Sequence, residues 1–213
     1  IAMLNHEGKL QRTRRQGKVS ELSNACLKNP PTGRSGIAHT RWATHGEPSE
    51  SNAHPHASGG LAVVHNGIIE NHEPLREALT KKGYEFDSST DTEVIAHLLH
   101  HELKTTSSLR EAMNRVLEQL EGAYAVAVID EDNPGSIMAA RLGSPLVVGI
   151  GIGENYIASD PQALRPVTDR FIFLEEGELV EITATEVTIF GHDKALVESR
   201  AVTLDKRDDA TDK

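Results

Sequence analysis

The second half of the chain is a succession of short apolar segments, each bounded by turn residues. Eight of them follow residue 121, namely AYAVAVID, SIMAARL, PLVVGIG, NYIAS, RFIFLEE, ELVEIT, VTIF and ALVESRAV. Segments of this length and composition predict β-strands rather than helices. Turns such as DNPG, EEGE and GHDK are too short to carry the chain to a parallel neighbour, so the strands are expected to pair antiparallel.

The first half mixes strands with helices. Residues 1–14 predict a β-hairpin, and SGIAHTRW and YEFD predict short strands. Helical spacing of apolar residues predicts one helix over KVSELSNACLKN, one from about Asn71 to Lys82, and two that begin at the capping box TDTE and near Ser108. A mixed front half followed by a run of strands indicates an α+β fold with packed antiparallel sheets.

Composition excludes several classes of protein. The 213 residues are 38% hydrophobic and 25% charged, which is typical of a folded globular domain. The net charge of -10 argues against generic nucleic-acid binding, and no basic amphipathic stretch or long apolar run suggests a membrane. The only cysteine is Cys26, so a reducing compartment, the cytoplasm, is expected.

The chain opens on IAML, which already reads as the middle of a strand. We therefore expect the natural protein to start earlier, with a leading segment missing from this sequence. At the other end TLDKRDDATDK is charged and reads as a linker, so we expect one domain over residues 1–203 and a tail or linker over 204–213.

Histidines concentrate in one part of the chain. Six of the eleven lie between residues 39 and 72, and they are His39, His45, His54, His56, His65 and His72. Their spacing matches no zinc motif, and no cysteine accompanies them. The favoured interpretation is that they order a long polar loop through hydrogen bonds to the backbone, and no metal site is predicted.

The stretch HTRWATHG looks like a recognition corner, because an arginine leaves a strand and is followed by Trp42, Thr44 and His45. The planar guanidinium of Arg41 is suited to binding a carboxylate. The pattern alone favours a simpler alternative, a surface ion pair beside a half-buried tryptophan.

Asp91 also has two interpretations. An acid in the first turn of a helix stabilises the helix dipole by about 0.3–1 kcal/mol, which is reason enough for it to be there. A carboxylate at a junction between a strand and a helix can instead hold the ammonium group of a ligand.

Asn66-Gly67, in LAVVHNGIIENHEPL, is a strong signal for a hairpin turn. The return strand would be very short, because IIENH leads at once into a helix. The alternative is a strand end that presents an amide side chain and a glycine N–H to a pocket, and these are the donor types of an oxyanion hole.

Three longer motifs carry a family resemblance, and they are GIAHTRWATHGEPSESNAHPH, VVHNGIIENHEPLREAL and STDTEVIAHL. Together they resemble the class II glutaminase domains of isomerising glutamine–fructose-6-phosphate aminotransferases, the glucosamine-6-phosphate synthases. GSPLVVGIG, NYIASD and RFIFLEEGELVEI extend the similarity from Ile1 to about Arg200. The resemblance implies an N-terminal-nucleophile hydrolase fold, a four-layer α/β/β/α sandwich of two antiparallel sheets.

The resemblance also implies a reaction and roles. The domain would hydrolyse the side-chain amide of L-glutamine to L-glutamate and ammonia, without a cofactor. Arg41 matches the clamp on the α-carboxylate of glutamine, and Asp91 matches the acid that holds its α-ammonium. Trp42, Thr44 and His45 match a segment that closes over the substrate, and Asn66 and Gly67 match the oxyanion hole.

The sequence departs from this family at one position that matters. Family members attack with an N-terminal cysteine, whereas this chain starts at Ile1 and lacks the leading strand that carries it. Cys26 lies on a helical stripe, so we expect it in the core rather than in the nucleophile's place. If that leading segment is deleted, we expect the chain to show no turnover.

The resemblance implies further partners beyond Lys213. A C-terminal sugar-isomerase domain would use the ammonia to convert fructose-6-phosphate to glucosamine-6-phosphate, in a full-length homodimer. Two alternatives stay open: the glutaminase domain of a phosphoribosylamine-forming amidotransferase, and a non-catalytic fragment that binds glutamine or glutamate.

Overall fold

A computed structural model describes residues 1–41, 47–198 and 200–204. The predicted closing-segment residues Trp42, Thr44 and His45 lie outside these ranges, as does most of the charged tail. No helix in the described ranges has the length and apolar character needed to cross a bilayer.

Four α-helices and fourteen strands form the described fold. The helices are α1 (Val19–Lys28), α2 (His72–Lys81), α3 (Asp91–Leu103) and α4 (Leu109–Leu117), with a 3-10 turn at Pro161–Ala163. The strands are β1 (Ala2–Leu4), β2 (Leu10–Arg12), β3 (Ser35–Ile37), β4 (His56–Ser58), β5 (Leu61–Ile69), β6 (Gly122–Asp130), β7 (Ile137–Leu142), β8 (Val147–Ile150), β9 (Asn155–Ala158), β10 (Arg170–Phe173), β11 (Leu179–Ile182), β12 (Val187–Phe190), β13 (Leu196–Val197) and β14 (Val202–Thr203).

The strands form one large sheet and two small ones. The large sheet has seven strands in the order β13-β12-β11-β7-β6-β5-β4. The small sheets have the orders β2-β1-β3 and β14-β10-β8-β9. Every pairing of these strands is antiparallel, as predicted, and the N-terminal hairpin is confirmed by the pairing of β1 with β2.

Both faces of the large sheet are covered. Successive residues of a strand point to opposite faces, so Val126 and Val128 of β6 join helices α3 and α4 in one core. Ala125 and Ala127 point the other way and join residues of both small sheets in a second core. The α+β prediction with packed antiparallel sheets is confirmed.

Three local predictions were wrong. Tyr84–Asp87 is not a strand, because the Glu93 carboxylate takes the N–H groups of Asp87 and Ser88 at 2.9 and 2.8 Å instead of a neighbouring strand. The polar segment after the tryptophan contains a strand, β4, whose His56 is buried. Cys26 is not a core residue: it is partly exposed, on a helix that buries none of its side chains.

Candidate active site

Asn66 and Gly67 lie inside strand β5. The strand continues to Ile69 and pairs in unbroken register with Gly122–Asp130, so these two residues form neither a hairpin turn nor a strand end. Both of those interpretations were wrong about the backbone. The strand is buried at His65 and again at Ile69, but exposed over residues 66–68. This exposed window presents the Asn66 side chain and the Gly67 backbone.

Gly67 has a backbone conformation that favours glycine. Its φ is +128°, and a Cβ atom there would lie 2.0 Å from the Ala123 carbonyl oxygen. A side chain at this position would therefore push β5 away from β6 or force another backbone conformation.

Asp91 is the first residue of α3 and joins that helix to β5. Its Oδ2 accepts a hydrogen bond of 2.9 Å from the Ile69 N–H. Thr90 caps the helix by accepting from the Glu93 N–H, as the capping-box pattern predicts. The Glu93 side chain does not close the box, since it binds the preceding loop instead. These contacts fix the start of α3 beside the exposed window of β5.

The window and the start of α3 enclose a polar hollow of about 320 Å³. This lies at the low end of the range for small-molecule sites, roughly 300–1,000 Å³. Arg41, Asn66, Gly67 and Asp91 all line it. The structure thus brings together four candidate residues that are up to 50 positions apart in the sequence. The other lining residues are His39, Thr40, His54, His65, Ile68, Thr90 and Thr92.

Four histidines lie together beside the polar hollow and form the histidine cluster: His39, His54 and His65, which line the hollow, and His56, which contacts His54. The rings of His39 and His54 stack with centroids 4.3 Å apart, and the ring of His56 meets His54 edge-on at 5.2 Å. His39 Nε2 lies 2.8 Å from Asn66 Oδ1. His56 Nε2 lies 3.0 Å from the Thr90 hydroxyl.

The hydrogen bonds of His54 fix its tautomer. The backbone N–H of His65 donates to His54 Nδ1 at 3.4 Å, so this nitrogen carries no hydrogen. Nε2 of the neutral ring must then carry it, and it donates to Thr92 Oγ1 at 3.2 Å. The Thr92 hydroxyl also lies 3.2 Å from His65 Nδ1 and 3.4 Å from Asp91 Oδ1. The cluster is thereby connected to the Asp91 carboxylate.

Burial keeps these histidines neutral. Desolvation lowers the pKa of His39, and lowers that of His54 further with help from the neighbouring rings. Burial first, then Arg14 and Arg12, lowers the pKa of His56 to about 3. Burial also lowers the pKa of His65, although Asp91 opposes the shift. Among the described lining residues, Arg41 and Asp91 therefore carry the charges of the polar hollow near pH 7.

A second hollow of about 460 Å³ adjoins the first. It shares His39, Thr40, His65 and Asn66 with the polar hollow, but its other walls are mainly apolar residues of both sheet layers. Cys26 is not among the described residues that line either hollow.

The same described ranges contain no group of three or more His, Cys, Asp or Glu side chains arranged to hold a metal ion. The histidine cluster binds threonine hydroxyls and an asparagine amide instead. The prediction that backbone groups satisfy the six histidine rings was correct for Nδ1 of His54, which accepts from the His65 N–H, and for Nδ1 of His72, which donates to the Ile69 carbonyl oxygen at 2.8 Å.

Sequence reasoning did not assign His39, His54, His65, Thr90 or Thr92 to the site. The density of histidines before residue 72 was the available signal. It was interpreted as loop ordering, because nothing in the spacing shows that β5 and α3 bring those rings together.

Comparison with solved structures defines the class of protein. The chain superposes with a TM-score of 0.75 on a glutamine phosphoribosylpyrophosphate amidotransferase from B. subtilis, at 27% identity over 92% of this chain and 43% of that one. A glutamine aminotransferase class-II domain protein from Silicibacter pomeroyi gives 0.63 at 18% identity and shares the fold over 91% of both chains. The fold is that of the N-terminal-nucleophile amidotransferases.

Sequence comparison defines the family. The family model described as "Glutamine amidotransferase domain" matches residues 39–166, and the chain belongs to that family. Over all 213 residues, the chain is 57% identical to glutamine–fructose-6-phosphate aminotransferase [isomerizing] of Salmonella typhimurium and 56% identical to the enzyme of Escherichia coli K12. The chain spans 35% of the length of these curated relatives.

Proposed function

We propose that this chain belongs to the glutaminase half of an isomerising aminotransferase, the part that binds L-glutamine and hydrolyses its side-chain amide to L-glutamate and ammonia. One observation carries the proposal: Arg41, Asn66, Gly67 and Asp91 line a single hollow of about 320 Å³. The hollow combines one cation, one anion and two uncharged donors, and glutamine hydrolysis needs each of them.

Arg41 and Asp91 select the amino-acid end of the substrate. Free glutamine is a zwitterion, so a pocket for it needs a fixed cation for the carboxylate and a fixed anion for the ammonium. Asp91 is held in place by the Ile69 N–H, and its negative charge remains available to a ligand. Each charge-assisted hydrogen bond contributes about 1.5–3 kcal/mol.

Asn66 and Gly67 stabilise the negative charge that develops on the amide oxygen of glutamine. The exposed window of β5 presents an amide side chain and a backbone N–H next to each other. Donors held by a strand are already oriented before the reaction starts, which is the condition for efficient oxyanion stabilisation.

The resemblance implies that the attacking group is the thiolate of an N-terminal cysteine. Cys26 is not suited to this role, because it lies on α1 and lines neither hollow. The thiolate attacks the amide carbon, ammonia leaves, and water hydrolyses the resulting thioester to glutamate. Trp42, Thr44 and His45 close over the bound substrate.

The organisation of the whole protein follows the relatives. Residues 1–203 form the glutaminase domain and 204–213 begin the linker to a sugar-isomerase domain, which aminates fructose-6-phosphate to give glucosamine-6-phosphate. Identity of 57% to these aminotransferases, against 27% to the phosphoribosylpyrophosphate enzyme, favours this acceptor. The full-length protein is a cytoplasmic homodimer.

The test uses the full-length enzyme and measures glutamate release from glutamine. Asn66→Ala should lower kcat about 100- to 1,000-fold with little change in KM, because the lost donor acts on the transition state. An effect on KM alone would contradict the oxyanion role.

Two charge variants test the clamp. Asp91→Asn and Arg41→Lys should raise KM for glutamine, by roughly 10- to 100-fold for the loss of one charge-assisted bond. Unchanged KM in both would reject these roles. Cys26→Ala is the matched control, and it should keep wild-type activity.

Calorimetry separates catalysis from binding alone. A wild-type protein that binds glutamine or glutamate but releases no ammonia would support the alternative of a non-catalytic binding module.

A further inference from the structure

We propose that His39 is a positioning residue that holds the Asn66 amide with its Nδ2 donor turned toward the polar hollow. The inference rests on the proposed function, because it assigns His39 a part in the same oxyanion site. Nothing in the resemblance gives His39 a role.

The argument starts from the freedom of Asn66. The terminal torsion of an asparagine is broad, so an exposed amide can exchange its oxygen and nitrogen by rotation. Asn66 is exposed on its strand. Within the described residues, its side chain makes a single hydrogen bond, to His39 Nε2 at 2.8 Å. An amide oxygen only accepts, so His39 donates from Nε2 and leaves the NH₂ group of Asn66 for another acceptor.

His39 meets the requirements of a fixed donor. Burial lowers its pKa, so the ring is neutral near pH 7 and carries one hydrogen. Its Nδ1 is buried without a hydrogen-bond partner in the described structure, which is consistent with the hydrogen being on Nε2.

The ring is also held in place. It stacks on His54 at a centroid distance of 4.3 Å and an interplanar angle of 25°. His54 in turn is fixed by two hydrogen bonds, from the His65 backbone and to Thr92. The orientation of the Asn66 amide is thus set by a chain of contacts that ends on β5 and α3.

Two substitutions separate the hydrogen bond from the stacking. His39→Gln keeps an N–H donor at a similar reach but removes the ring, whereas His39→Phe keeps a flat ring over His54 but removes the donor. The proposal predicts that His39→Gln retains kcat for glutamine hydrolysis within about 3-fold. His39→Phe should lower it about 10- to 100-fold, less than complete loss of the Asn66 donor, with KM nearly unchanged.

A purely structural ring would give the opposite order, with phenylalanine tolerated and glutamine not. A proton-transferring His39 would make both variants equally poor, since neither side chain titrates near neutral pH. Either result would overturn the proposal. Thermal unfolding of each variant shows whether it folds, and if His39→Phe does not, the activity of His39→Gln still decides.

A double-mutant cycle in the full-length enzyme completes the test. If His39 acts through Asn66, His39→Phe should cause no further loss of kcat in an Asn66→Ala background. An equal fractional loss in both backgrounds would refute the inference while leaving the proposed function intact. A wild-type enzyme that releases no glutamate from glutamine would instead refute the proposed function, and this inference with it.

Discussion

The starts of α3 and α4 carry the same sequence signature and have different surroundings. Each has a hydroxyl residue followed three positions later by glutamate, Thr90 with Glu93 and Ser108 with Glu111. Each hydroxyl accepts a hydrogen bond from the glutamate N–H, at 3.4 and 3.2 Å. The local rule of helix capping is obeyed equally at both.

The glutamate side chains show the difference. Glu93 is 5% exposed and accepts from the N–H groups of Asp87 and Ser88 and from the Ser88 hydroxyl. Glu111 is on the surface, where it accepts from Ser107 and pairs with Arg115. The same motif therefore closes a helix end at α4 and organises a loop beside the polar hollow at α3.

Two glycines show the same dependence on their surroundings. Gly67 and Gly83 both have positive φ, at +128° and +88°. A Cβ on Gly67 would overlap the Ala123 carbonyl, whereas nothing lies within 4 Å of a Cβ on Gly83. Both residues are glycines with positive φ, but only Gly67 has backbone atoms of a neighbouring strand where a side chain would be.

The largest expected effect tests the glycine pair. Gly67→Ala should destabilise the protein by more than about 4 kcal/mol, because the backbone of β5 or β6 must move. Gly83→Ala should cost only about 1–2 kcal/mol, the strain of a left-handed non-glycine residue. Chemical denaturation measures the free energy of unfolding of both variants. Similar losses would show that the positive φ of each glycine, rather than its contacts with neighbouring atoms, determines the cost of the substitution.

The glutamate pair comes next. Glu93→Gln places an NH₂ group against donors that need an acceptor, and should lower the free energy of unfolding by about 2–4 kcal/mol. Glu111→Gln should have a much smaller effect, since water replaces its lost interactions. If the two variants unfold at the same denaturant concentration, the buried hydrogen bonds of Glu93 stabilise the protein no more than the exposed ones of Glu111.

Removal of the two helix caps should give a smaller difference in stability. Ser108→Ala removes one exposed cap and should cost about 1 kcal/mol. Thr90→Val removes a cap and also deprives buried His56 of its partner, so about 2–3 kcal/mol is expected. Equal losses in thermal unfolding would mean that His56 finds another partner.

These pairs show what the sequence can predict. Periodicity and capping signals predicted the helices and the succession of C-terminal strands, because those elements follow local rules. The same rules failed at Tyr84–Asp87, where the Glu93 carboxylate accepts the Asp87 N–H and Arg76 donates to the carbonyl of the following residue, Ser88. They also failed at His56–Ser58, because the sequence around this buried histidine has the polar composition of a loop.

The residues of the site also include some that the sequence predicts and some that it does not. Arg41, Asn66, Gly67 and Asp91 were singled out by residue type and by resemblance, and they do share one hollow. The hairpin signal at Asn66-Gly67 was overridden by pairing with β6, a contact between distant parts of the chain. The histidine cluster could not be predicted, because its rings are held by burial and by hydrogen bonds to Thr90 and Thr92, which the fold brings to them from the cap and first turn of α3.

Acid should destabilise the surroundings of α3 through the buried ring of His56. Burial lowers the pKa of His56 from 6.5 to about 3. Between these values the unfolded chain binds a proton that the folded protein does not, so stability is complete above pH 6.5 and falls as the pH drops. The slope from this group approaches about 1.4 kcal/mol per pH unit. Measured by denaturation from pH 7 to 4, His56→Gln should flatten this decline and the exposed control His6→Gln should not. An unchanged slope in His56→Gln would show that the folded protein and the unfolded chain protonate His56 over the same pH range.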